Sequence, residues 1–211
     1  MGVKNRRMKN WLMLPIKATK FIFNEVGALI VLLIVGWPST SLGYRMRRAY
    51  WGSKTGVKNI LVGRNSSISD CTQIVFGNNI AISSNVELVA DGVDGYKVFI
   101  GSNILIARGT YLRSANHRFD DPNKPIVEQG YTSKKVNYNG KIYSIVIADG
   151  VWIGANVTIL SGAMIGEGAI VGAGSIVTGV IPPYSIAAGC PARVISTRKK
   201  PAHFELKQNA L

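Results

Sequence analysis

The chain has 211 residues, 47% of them hydrophobic and 17% charged, with 23 glycines. That length suits one domain plus a flanking segment rather than two large domains, and so apolar a composition excludes a disordered chain. The 25 Lys and Arg exceed the 11 Asp and Glu by 14, an excess that would ordinarily suggest nucleic acid, but its distribution argues for another partner.

Residues 1–58 hold 11 basic side chains and one acid, Glu25, so ten of the fourteen excess charges lie in the first quarter of the chain. There the run from Val26 to Trp37 is apolar for 12 residues, with Arg6, Arg7, Lys9, Lys17 and Lys20 upstream and Arg45, Arg47 and Arg48 downstream. Apolar surface beside cations suits an anionic membrane surface. Even extended back to Phe21, across Asn24 and Glu25, the run falls short of the roughly 20 residues that span a bilayer. Residues 1–58 therefore read as a basic, partly apolar helical segment that anchors the chain on a membrane surface. A helix packed on its own or a neighbouring subunit, a secretory signal and a true span stay open. No A-x-A-like cleavage site follows Ser39 to Gly43, and Arg6 stands where a myristoylation motif needs Ser or Thr.

From Val62 an aliphatic residue recurs every sixth position through Ile68 and Ile74. The register slips by two and resumes at Ile82, Leu88, Ile100, Ile106 and Leu112, stops after His117, and returns at Ile147, Ile153, Ile159, Ile165, Val171 and Val177. A period of six fits neither an amphipathic helix nor the hairpins of a sandwich; it matches an all-β fold, a parallel β-helix over residues 59–196. Three hexapeptides close one coil of about 18 residues, and stacked coils share one aliphatic core. Ala148, Gly154, Gly166 and Gly172 follow the aliphatic position and are expected to let the backbone bend at each corner. Residues 197–211 read as a basic tail. Cys71 and Cys190, 119 positions apart with no C-x-x-C spacing, indicate neither a disulfide framework nor a zinc site and fit a reducing, cytoplasmic body.

The interruption, residues 118–144, has turn residues, mixed charge and no apolar period, so it should leave the prism as a protruding loop. Long loops on rigid scaffolds carry function disproportionately, and this one begins beside His117, one of two histidines in the chain. A surface histidine in a polar turn is the plain alternative. His203 reads as structural or idle.

The stretches Asn116-His117-Arg-Phe-Asp-Asp-Pro-Asn-Lys-Pro-Ile126, Val151-Trp-Ile-Gly-Ala-Asn-Val-Thr-Ile-Leu160, Gly172-Ala-Gly-Ser-Ile-Val-Thr178, Ile181-Pro-Pro-Tyr-Ser185 and Gly189-Cys-Pro-Ala-Arg-Val-Ile195 resemble the hexapeptide-repeat acyltransferases. The likeness is to their O-acetyltransferase branch for sugars, capsule and lipopolysaccharide, and it covers about residues 60–196. It implies left-handed coils, an exception to the usual crossover rule, and acetyl-CoA as acyl donor; no His or acidic cluster in the sequence offers three metal ligands, so no metal is expected. It also implies His117 as general base on an acceptor hydroxyl, and a homotrimer with sites between adjacent prisms. Ungapped counting puts Glu87 where the family carries a helper asparagine, with Asn85 two residues away, so either the register shifts to Asn85 or Glu87 binds acceptor hydroxyls or orients His117; Asn116 beside the histidine is an acceptor-binding or orienting residue. Trp152, Ala155, Ala173, Thr178 and Arg193 match cofactor contacts. Gly179-Val180 replace a common Lys-Asp pair, for which Arg198, Lys199 or Lys200 would substitute. The expected function is O-acetylation of a glycan precursor of capsule, exopolysaccharide or lipopolysaccharide, lipid-linked or not, on the inner face of a bacterial cytoplasmic membrane. Alternatives are a soluble acetyltransferase for a free sugar or a streptogramin-type antibiotic, and a membrane- or glycan-binding solenoid without turnover.

Overall fold

The computed structural model of the chain describes residues 26–199, so the readings on residues 1–25, Lys200 and His203 lie outside the described residues. From Ile60 the chain winds into a parallel β-helix with three flat faces. The first face stacks Ile60–Val62, Ile80–Ile82, Ile104–Ile106, Trp152–Ile153, Ile170–Val171 and Ser185–Ala188. The second stacks Ser67–Ile68, Glu87–Val89, Tyr111–Arg113, Thr158–Leu160 and Ile176–Val177. Ile74–Phe76, Lys97–Ile100, Lys141–Ile147, Met164–Ile165 and Val180–Ile181 form the third. The coils wind left-handed.

The period-six aliphatics point inward. On the first face Val62, Ile82, Ile106, Ile153 and Val171 are successive register partners, and all are buried. Strand pairing sets them about 4.8 Å apart, so each packs between like side chains above and below, and each burial stabilises by roughly 1.5–3 kcal/mol. The step between partners is not constant: 20 residues from Val62 to Ile82, 24 from Ile82 to Ile106, 47 from Ile106 to Ile153 and 18 from Ile153 to Val171.

The small residues after the inward position have a different cause from the one expected. Gly63 and Gly154 are not among the residues with positive φ. A Cβ on Gly63 would meet Ser83 C at 2.4 Å, and one on Gly154 would meet Ala173 N at 2.6 Å. The next coil's backbone passes too close for a side chain, so space rather than bending selects glycine. The left-handed backbone falls two positions later. It is taken by Asn65, Asn85, Gly109, Asn156 and Gly174 at the corner between first and second faces, and by Asn79, Asn103, Gly150 and Gly168 between third and first. Asparagine tolerates that region better than other side chains. Asn59 Nδ2 donates to Asn79 Oδ1 at 2.8 Å and Asn79 Nδ2 to Asn103 Oδ1 at 2.7 Å, a ladder along that corner.

Two excursions account for the long steps. The short one, residues 90–96, carries a 3-10 turn at Val93–Gly95. The long one is not wholly irregular: Tyr131–Thr132 pairs antiparallel with Asn116–His117, and Val136–Tyr138 pairs antiparallel with the start of Lys141–Ile147. Asn139 and Gly140 both take positive φ, as a two-residue type I′ hairpin turn requires. Strand structure thus resumes at Lys141, four residues before the expected return. Val136, Tyr143 and Val146 form a satellite core with Phe99, Tyr138 and Met164.

Both ends of the prism are covered. Arg193–Thr197 runs antiparallel along Ser185–Ala188, Arg198 N donates to Tyr184 O at 2.7 Å, and Arg198 Nη1 donates to Gly168 O at 2.6 Å. At the other end residues 26–36 are helical (α1) and a second helix, α2, spans Ser41–Thr55. Thr40 Oγ1 caps α2 by accepting from Gly43 N at 3.2 Å, and Gly56 in the left-handed region closes it. From α2 Trp51, and from the turn after it Val57, join the core. Arg47 is fully buried: Nε donates to Val62 O at 3.1 Å and Nη1 to Trp37 O at 2.6 Å. Its charge stands at the end of α1, where the last carbonyls lack partners within the helix and the helix dipole is negative; Val35 O there accepts from Asn65 N at 3.1 Å. The downstream half of the basic segment is therefore the cap of the prism, whereas α1 leaves Val26, Leu29, Ile30, Leu32 and Leu33 exposed. Among the described residues no helix is long and apolar enough to cross a membrane.

Candidate active site

The second face delivers the chain to the edge it shares with the third face, where Ser114 and Ala115 are buried and His117 turns out to solvent. Backbone pairing sets His117 opposite Tyr131, with ring centroids 4.4 Å apart and planes tilted by 37°. Three bonds hold this edge together. Ser133 Oγ donates to Ser114 O at 2.7 Å, Ser133 N to Asp94 Oδ2 at 3.1 Å, and Asp91 N to Ser114 Oγ at 2.8 Å. The short excursion thereby clasps the long one beside the histidine.

Arg113 completes the group. Its Nε lies 3.9 Å from Asp91 Oδ2, its guanidinium 5.9 Å from the Tyr131 ring centroid, and its Nη1 donates to the Tyr111 hydroxyl at 3.5 Å. The Tyr111 hydroxyl, with a lesser contribution from Asp91, holds the Arg113 pKa above its ordinary value. Glu87 is the register partner of Tyr111 and is exposed, so its carboxylate stands one coil below on the same face.

The two alternatives for the helper position separate here. Asn85 occupies the left-handed corner between first and second faces, with φ +57 and its N–H on Arg64 O at 3.0 Å. That is a turn-making role at the edge of the second face away from His117. Glu87 lies on the face itself. Asn116, half-buried, pairs with Thr132.

The positions matched to cofactor contacts do not gather in one cleft of a single prism. Trp152, 50% exposed, stands on the first face between Leu105 and Ile170. Ala155 and Ala173 stack one coil apart at the first corner, where Gly174 N donates to Ala155 O at 2.8 Å. Thr178 is exposed on the edge that also bears His117, and Arg193 lies on the closing strand, its Nη1 on Ala192 O at 3.0 Å. Arg198, a candidate substitute for the missing basic contact, spends its guanidinium on Gly168 O.

Sequence reasoning passed over Tyr131, Arg113, Tyr111, Asp91 and Asp94. One signal was available: no aliphatic residue stands midway between Leu88 and Ile100, which marks the short excursion. Chemically, the edge offers an exposed imidazole, a side chain suited to general-base work, beside an aromatic face and a cation.

The bacterial transferase hexapeptide family (six repeats) matches residues 144–179. The galactoside O-acetyltransferase of Escherichia coli K12 is 38% identical over 138 residues, 64% of this chain and 62% of that protein. A polysialic acid O-acetyltransferase of Escherichia coli O1:K1 is 36% identical over 124 residues, 59% of this chain and 36% of that one. Among solved structures, a galactoside acetyltransferase in complex with coenzyme A superposes with a TM-score of 0.62 at 28% identity, covering 81% of this chain and 78% of that one. The chain spans between 42% and 62% of the length of the first curated relatives it matches.

Proposed function

We propose that the chain, which is similar to the hexapeptide-repeat acyltransferases, transfers an acetyl group from acetyl-CoA to a sugar hydroxyl, with His117 as general base. The observation that carries this reading is the exposed imidazole at the point where the long excursion leaves the prism, stacked on Tyr131 and flanked by Arg113. A sugar hydroxyl is a weak nucleophile near neutral pH. His117 takes its proton as the oxygen attacks the acetyl carbonyl; the tetrahedral intermediate collapses, the C–S bond breaks, and the imidazolium returns the proton to the departing thiolate. Glu87 is the better of the two helper candidates, because Asn85 stands at the corner on the edge of the second face away from His117; a carboxylate there suits acceptor hydroxyls rather than an oxyanion.

Two features support a trimer with sites between prisms. Leu61, Ala81, Leu105, Trp152, Ile170 and Ile186 are successive outward register partners on the first face, an apolar stripe that suits a second copy. Trp152, Ala155 and Ala173 also lie across the second face from His117, so a neighbouring prism would complete what one leaves apart.

For the acceptor, the exposed apolar α1 and the basic α2 favour a glycan precursor held at the inner face of the cytoplasmic membrane. The likeness to a galactoside O-acetyltransferase favours a free sugar. Thiol release from acetyl-CoA by the full chain decides between them, measured with lipid-linked glycan, free galactoside and no acceptor. Release is expected only with acceptor and fastest with the lipid-linked glycan. Faster release with free galactoside selects the second reading, and acceptor-independent or absent release ends both.

A further inference from the structure

We propose that the capped end of the prism is a docking surface for an acidic phospholipid leaflet, with Arg45, Arg48 and Lys58 taking lipid phosphates while the exposed side chains of α1 enter the acyl region. The inference deepens the membrane-side reading above and rests on it. Between Glu25 and Asp70 the sequence contains no acid and six bases. One of the six, Arg47, is buried and engaged with backbone carbonyls.

Arg45 and Arg48 stand a helical turn apart on the solvent side of α2. With Lys58 they line an open groove whose other walls are Ala49, Gly52, Ser53, Gly56 and Val57, mostly small residues. Side chains this small leave the groove accessible to a group as large as a phosphate. Among the described residues none of the three cations forms an ion pair, and the one side-chain contact in the group is Arg48 Nη2 on the neutral Asn59 Oδ1 at 3.4 Å. Three mutually repelling cations around one groove call for an anion from outside.

The choice of a leaflet over another polyanion comes from α1. Its exposed side chains, 49% for Val26, 58% for Leu29, 51% for Ile30, 68% for Leu32 and 55% for Leu33, cover an arc of about 160° at 100° per residue. That is wider than the roughly 100° stripe one packed partner covers. A short apolar helix that leads directly into the helix bearing a basic groove matches the two components of an anionic leaflet, acyl chains and phosphates.

The test is flotation of the full chain with vesicles of phosphatidylglycerol and phosphatidylcholine, against phosphatidylcholine alone. Binding is expected to the anionic vesicles and to fall roughly 100-fold in the Arg45→Gln/Arg48→Gln/Lys58→Gln variant, since each basic residue near an anionic surface contributes about fivefold. A Leu29→Ser/Leu33→Ser variant should lose the part of the binding that survives high salt. Equal binding to neutral vesicles, no effect of the triple variant, or complete displacement by millimolar glycerol phosphate would each overturn the proposal, the last in favour of a soluble phosphate ligand. Thiol release with a soluble acceptor is measured on the same preparations and should be unchanged in the triple variant. Vesicle binding without thiol release sinks only the catalytic reading, and thiol release without vesicle binding sinks only the docking surface.

Discussion

His117 is held by its backbone pairing to Tyr131 and by ring stacking, an interaction of about 0.5–1.5 kcal/mol that orients the imidazole without burying it. His117→Ala should therefore leave the fold and coenzyme A affinity unchanged within about twofold, while acceptor-dependent thiol release falls by about 10²- to 10⁴-fold. A folded variant with near wild-type turnover would remove His117 from the chemistry. The histidine was legible because it sits at the stop of a strict register. Tyr131 and Arg113 were not, since the first meets it across an irregular excursion and the second is an ordinary outward position of a repeat. The two thiols make a separate test. Burial, seconded by the Asp70 carboxylate, pushes the Cys71 thiol above its ordinary value, and Lys54 opposes this more weakly. A raised pKa leaves less thiolate at pH 8. Iodoacetamide at that pH should modify the exposed Cys190 first, and the Cys71 rate should keep climbing with pH where an ordinary cysteine has levelled off. Peptide mass mapping reads both sites, and Cys71 reacting first would contradict the assignment.

The corner is the element that makes the repeat possible, and it has two separate requirements. A glycine such as Gly154 admits the next coil, and a left-handed residue such as Asn79 turns the chain. The aliphatic period declared the fold because inward positions are all of one chemical kind. Asparagine and glycine three places later carried the turn signal, but the mixture of two residue types hid its regularity. The Val136–Tyr138 hairpin was masked differently, because its apolar side chains pack on the outside of the third face and so share no register with the core. Asn79→Ala loses two side-chain bonds and takes on the left-handed penalty of about 1–2 kcal/mol, whereas Asn79→Gly loses the same bonds without it. Thermal unfolding should rank wild type above Asn79→Gly above Asn79→Ala. Equal midpoints for the two variants would show that the backbone conformation costs nothing there.

At the scale of the whole molecule, the outward stripe on the first face predicts assembly through that face. Leu105, 54% exposed in the single prism, lies near its middle. Leu105→Glu should convert a trimer into monomers by light scattering at micromolar concentration and abolish thiol release with it; an active monomer would show that one prism suffices. The uneven steps between register partners carry a consequence for the order in which the prism forms. Rings of 18 to 24 residues close cheaply on either side of the long excursion, but its own ring, at 47, costs about 0.9 kcal/mol more than one of 18 in closure entropy, roughly fourfold in rate. The chain is in that sense two zippers of nearly local contacts joined at one slow seam. Each block can nucleate and propagate by itself, and the edge that bears His117 lies on the seam, the last part of the prism to become native.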